Sequence, residues 1–180
     1  MKTLLTLLFV PVSLLVYPPL FAQDEVFVKE YLERLENSQK HLLLVAEMMP
    51  EEQYDFKPTP ESLSFAEQLM HIGWAMDWHS QSLMGGRKAR NWETDTELKV
   101  DQKNKKEMME TLDKTFNTTI AFIKDFDLTQ LNETLDYFGL TRTKRQILLL
   151  LTDHITHHRS QMLVYMRLKG IKPPRYVLYQ

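Results

Sequence analysis

Residues 143–170 read TKRQILLLLTDHITHHRSQMLVYMRLKG, and their periodicity decides the fold. Thr143 followed three positions later by Gln146 is the pattern of a capping box, in which side chain and backbone satisfy each other's free groups at a helix start. Gly170 suits a left-handed terminator, and Pro173-Pro174 prevents the helix from resuming. A long helix over 143–169 follows. Ile147, Leu151, His154, His158, Gln161, Tyr165 and Leu168 recur at steps of four or three, which puts them on one inward-facing stripe. Two imidazoles and an amide interrupt that stripe. Buried polar groups of this kind need partners, because an unpaired one forfeits its hydration without return.

Three further helices read outward from this one. The first spans about residues 24–49, with Val26, Tyr31, Leu32, Leu35, Leu42 and Val45 as apolar positions and Pro50 as its stop. Ser64-Phe65-Ala66-Glu67 offers a second capping box, and the helix it opens runs through His71 and Trp78 to Gly85-Gly86. A third covers roughly 104–126, with Met108, Leu112, Thr115, Phe116, Thr119, Phe122 and Ile123 turned inward. Residues 128–140 read as irregular with a brief extended stretch. Four amphipathic helices sharing one core predict an all-α four-helix bundle, although periodicity does not say which helices are neighbours.

The 180 residues hold one such domain, over 23–180. Residues 1–22 are set apart by Lys2, an almost wholly apolar run over 4–16, and a small residue, Ala22, ahead of a polar stretch. This pattern predicts a signal peptide, removal of that segment, and export to the periplasm or the medium. Pro11, Pro18 and Pro19 interrupt a segment that barely reaches spanning length, which argues against stable membrane insertion. The formal net charge is −2, with Lys and Arg interspersed among Asp and Glu, so nothing marks a nucleic-acid-binding face. With no cysteine, stability must come from packing and any metal must be held by nitrogen or oxygen donors.

His154 and His158 lie four residues apart, so their rings share a face at a separation one ion can bridge. Helical zinc proteases use the same spacing, but isoleucine stands here where their catalytic glutamate would follow the first histidine. Two hydrogen-bonded core histidines would fit the pair equally well. The second helix offers His71 and His79, about 80° apart around its axis, and both faces are partly apolar. Periodicity does not choose between them. Trp74, Trp78 and Tyr165 stand where they would wall a pocket or fill a core. Gln161 suits either a donor to a ligand imidazole or an interhelical hydrogen bond. Asp153 and Arg159 are about 100° from their histidine neighbours, away from any shared ion, with solvated or partner-facing roles expected. Arg142, Lys144 and Arg145 read as a solvated basic face.

Leu69-Met70-His71-Ile72-Gly73 together with His154-x-x-x-His158-Arg159-Ser160-Gln161 resembles the DinB-like family of small bacterial bundles, also called the DinB/YfiT type. The likeness runs over nearly the whole predicted mature chain, and Gly170-Ile171-Lys172-Pro173-Pro174 mirrors the family's closing Gly and Pro. The family's metal ligands fall on His71, His154 and His158, leaving out His79 and His157. Ser160 stands where the family usually has glycine. What the resemblance implies is a divalent metal, zinc first and nickel, iron or manganese as alternatives, with an open coordination position for water or a small-molecule substrate. It also implies a metal-dependent hydrolase or thiol-dependent transferase, in a homodimer as in many relatives. A non-catalytic bundle using the metal as a helix clip is the alternative.

Overall fold

The computed structural model describes residues 20–176, so the predicted signal peptide lies outside the described residues except at its last three positions. Four helices carry the fold: α1 (Leu20–Met48), α2 (Phe65–Asp77), α3 (Lys105–Lys124) and α4 (Lys144–Leu168). Helix α1 starts four residues before the expected position, since positions 20–23 contain no glycine or proline to stop it. Helix α2 continues as a π-helical stretch over Trp78–Met84, which carries it to the predicted stop at Gly85. Short 3-10 turns cover Glu51–Gln53 and Leu128–Asn132.

Both predicted capping boxes form. Ser64 Oγ accepts from Glu67 N while Glu67 returns the bond to Ser64 N, and Thr143 and Gln146 repeat the exchange. Asn104 and Glu107 build a third box at the start of α3. At the end of α4, Gly170 takes φ +73 and the bonds Ile171 N to Met166 O and Gly170 N to Arg167 O close a Schellman motif.

The brief extended stretch proves to be a hairpin. Strands β1 (Thr134–Tyr137) and β2 (Leu140–Thr143) pair antiparallel, with Thr134 opposite Thr143 and Tyr137 opposite Leu140. Phe138 and Gly139 make the turn, both at positive φ as a two-residue hairpin of type I′ requires. Phenylalanine is a poor choice for such a turn. Its ring lies 5.4 Å from that of Trp78, a contact that offsets part of the backbone cost.

Around the bundle the neighbours run α1, α3, α2, α4 and back to α1. Leu35, Leu42, Leu69, Ile72, Leu112, Phe116, Ile147 and Leu151 fill the core with no exposed surface. Two residues predicted inward are not: Val26, 54% exposed, lies off the stripe on which Asp24, Val28 and Tyr31 are buried, and Leu168, 59% exposed, is the last residue of α4. The basic face is also not free in solvent. Arg145 pairs with Asp24 and lies over Phe27, while Lys144 binds Gln130 and Glu133. Among the described residues no helix is long and apolar enough to cross a membrane.

The α2–α3 connection is pinned across the site. Asp77 accepts from Arg87 and from Arg90 Nε at 3.1 Å, and Arg90 reaches Asp95 and Glu97, both at 2.8 Å. Leu98 is buried against Gly73, where an added Cβ would already stand in van der Waals contact, 3.5 Å away. Trp92 and Lys99 are thereby held above α2.

Candidate metal centre

The α2–α4 contact brings His71, His154 and His158 together. Their ring centroids lie 4.5 Å (His71–His158), 5.0 Å (His71–His154) and 4.4 Å (His154–His158) apart. One nitrogen from each ring falls within 4.8 Å of the other two. Two donors sharing a zinc ion at 2.0–2.1 Å stand at most about 4 Å apart, so small side-chain rotations suffice to close the set.

All three rings are half-buried. Burial, then the neighbouring imidazoles, pushes His158 down to about 3 and His154 to about 4. Burial alone lowers His71. At neutral pH all three are uncharged, the form in which an imidazole donates a lone pair to a metal. His154 Nε2 is buried and makes no hydrogen bond. Such an orphan is costly in a finished core but suits an atom reserved for a ligand.

His158 has its other nitrogen committed. Nδ1 donates to Gln68 Oε1 at 2.5 Å, which leaves Nε2 as the lone-pair nitrogen. Gln68 Nε2 donates in turn to Gln161 Oε1 (2.8 Å) and to the Tyr165 hydroxyl (3.2 Å). The Tyr165 hydroxyl donates to Leu63 O at 3.0 Å, and Gln161 Nε2 donates to His157 Nε2 at 2.9 Å. Every donor in this chain has an acceptor, so the directions of the bonds are fixed.

Hydrogen bonding distinguishes His79 from His71 on α2. His79 is buried, donates Nδ1 to Ala75 O at 2.6 Å and accepts at Nε2 from the Tyr137 hydroxyl at 3.1 Å. With both nitrogens used it stands beside the triad, 6.2 Å from His154 ring to ring, without a free lone pair. Asp153 is exposed, as expected, and His157 is exposed too. Arg159 is not: it is 3% exposed and faces α1.

Trp74 and Trp78 are half-buried, Trp78 packing on His79 at 4.8 Å ring to ring, whereas Tyr165 belongs to the core. Trp92 meets Trp74 edge-on at 4.5 Å and His71 at 6.4 Å. Beside His71 a cavity of about 360 Å³ opens, lined by Leu63, Glu67, Trp92, Lys99, Val100 and Asp101. Sequence reasoning overlooked the roles of Gln68, Trp92 and Lys99. A signal existed only for Gln68, a polar residue on the same inward face as His71 and three residues before it.

The family model described as the DinB superfamily matches residues 34–162, a span that includes all three clustered histidines. The chain belongs to the DinB superfamily. A DinB relative, the uncharacterized protein YjoA of Bacillus subtilis (strain 168), is 28% identical over 134 residues, 70% of this chain and 80% of YjoA. The crystal structure of a DinB-like protein from Bacillus cereus ATCC 10987 matches with a TM-score of 0.65 at 21% identity, covering 85% of this chain and 97% of that one. That of B. subtilis YjoA gives 0.60 at 19%, covering 86% and 99%. These structures share the DinB fold with the present chain.

Proposed function

We propose that this DinB-superfamily protein binds one divalent metal ion through His71, His154 and His158 and uses it as a metal-dependent hydrolase. The observation that supports this reading is a trio of neutral imidazoles, nitrogens within 4.8 Å, beside a cavity that reaches His71. Bound with an open position, such an ion lowers the pKa of a water ligand toward about 7 or polarises a bound oxygen or sulfur. Nitrogen-only donors suit zinc first, with nickel, iron or manganese competing through availability.

The chain's own contributions are positional. Gln68 holds His158 with Nδ1 protonated, so that Nε2 presents its lone pair. The cavity's size fits a small-molecule substrate. Trp92, with Lys99 Nζ 5.1 Å over its ring, forms the wall above His71. Glu67 lines the same cavity but is tied to Ser64 N and Lys57, which hold its carboxyl below the usual range and leave it a weak base. Export, expected from residues 1–22, favours water over an intracellular thiol as the nucleophile. A closed structural clip would need a fourth protein donor, and three described residues form the group.

Cobalt substitution tests both parts. Stoichiometric cobalt with ligand-field absorption, abolished by His71→Ala and by His154→Ala but kept by His79→Ala, is the expected result. Added azide should shift the spectrum through the open position. A protein that takes up no cobalt overturns the metal site, and a spectrum indifferent to azide overturns the hydrolase reading in favour of a clip.

A further inference from the structure

About 100° around α4 from His158, Arg159 turns into the α1–α4 interface. Its side chain is 3% exposed and forms no ion pair among the described residues. Its one hydrogen bond of normal geometry is long, Nη1 to Ser38 Oγ at 3.3 Å. The hydroxyl of Tyr176 leans toward it, with the ring 5.7 Å from the guanidinium carbon. A guanidinium carries five N–H donors, and among the described residues the Ser38 and Tyr176 hydroxyls are the acceptors placed beside them.

The surroundings make the charge harder to hold. Arg34, one turn before Ser38 on α1, adds a second positive charge that disfavours protonated Arg159, as burial does. His41, one turn after Ser38, is 1% exposed, and neither ring nitrogen makes a hydrogen bond of normal geometry. The Pro174 carbonyl leans toward the ring and only partly offsets the effect of burial. Spacing of four and three residues puts Arg34, Ser38 and His41 on one stripe of α1. A buried cation with no ion pair among the described residues, beside a second cation and an imidazole with two unbonded nitrogens, is a costly arrangement unless something negative completes it.

We propose that the space between α1, α4 and the Tyr176 segment is a binding site for a small oxyanion of the carboxylate or phosphate type. Arg159 supplies the paired donors that a planar guanidinium offers to two anion oxygens. Ser38 Oγ and a His41 N–H complete the donor set. Tyr176, 50% exposed and edge-on to His41 at 5.9 Å, covers the site and moves aside for entry.

The test uses the full chain freed of metal with a chelator. Inorganic phosphate and acetate are titrated separately at constant ionic strength against chloride, with binding read by calorimetry. Side-chain NMR signals of Arg159 and His41 locate the anion in the unaltered protein. One-to-one saturation by phosphate or acetate is expected, with those two signals moving and affinity at least about tenfold weaker in Arg159→Met. The same variant should melt at a higher temperature than the parent without anion, because it no longer buries an unpaired charge. Tyr176→Ala, a change at an exposed residue, should speed association. Saturation that moves only His71, His154 and His158 assigns the anion to the triad and overturns the proposal. So does a response no greater than that to chloride.

Discussion

Gln68→Ala removes the acceptor that keeps His158 Nδ1 protonated. The ring can then turn or change tautomer, and an ion loses a donor held in one orientation. Metal affinity in a competition titration should fall about 10–100-fold, with no ligand altered. Tyr165→Phe, by contrast, leaves Gln68 its bonds to His158 and Gln161 and should weaken metal binding little. At this scale the sequence was partly legible. The spacing of His154 and His158 carried their shared face, but periodicity gave His71 and His79 equal standing and the family resemblance alone favoured His71; the fold adds that His79 is bonded at both nitrogens. One of those bonds comes from Tyr137, a residue 58 positions away on a hairpin strand, and helical periodicity holds no information on such a partner. Arg159 escaped for a related reason: an arginine next to an inward-facing histidine reads as solvated until the helix packed against it is known.

Helix boundaries were legible because their signals are local. Ser64 with Glu67, Thr143 with Gln146, and Gly170 act within a few residues of themselves, and each sits at the terminus predicted from it. Gly170 offers a direct measure. At φ +73 an alanine carries a steric penalty that glycine escapes, so Gly170→Ala should lower unfolding free energy in urea by about 1 kcal/mol. The hairpin was only half legible. Its turn uses Phe138-Gly139 in place of the usual Asn-Gly or Asp-Gly, and the phenylalanine is accommodated by Trp78, across the fold. The π-helical turn at Trp78–Met84 had no sequence signal at all. It lies where α2 carries His79 past the triad, in keeping with the tendency of such turns to occur near functional sites.

Over the whole molecule, the buried imidazoles link stability to pH. In the folded, metal-free protein His154 and His158 are held at about 4 and about 3, and unfolding returns both to about 6.5. Between those limits the unfolded chain binds more protons, so stability is fully present above pH 6.5 and is lost as pH falls toward 3. Ion pairs such as Asp95 with Arg90, which helps hold the Asp95 carboxyl below its usual range, also weaken in acid, so the comparison needs His158→Gln as its reference. The metal-free parent should lose more melting temperature than that variant between pH 7 and pH 4.5, by at least about 2 °C. Excess zinc should raise the parent's melting temperature at pH 7 and do so progressively less in acid, because protons compete for the same nitrogens.

The placement of the three histidines also orders events in time. His154 and His158 face one another as soon as α4 forms a few turns, whereas His71 lies 83 positions upstream of His154. The ring closing that gap exists only after α2 has docked on α4, a contact that must first overcome the entropy of a long loop. An ion added before refolding would therefore accelerate it only if the two helices already touch in the transition state; otherwise its whole effect falls on the unfolding rate. Stopped-flow refolding with and without zinc separates the two cases. An unchanged folding rate with slowed unfolding, the expected result, would make the metal a late-arriving lock on a chain that had already found its shape.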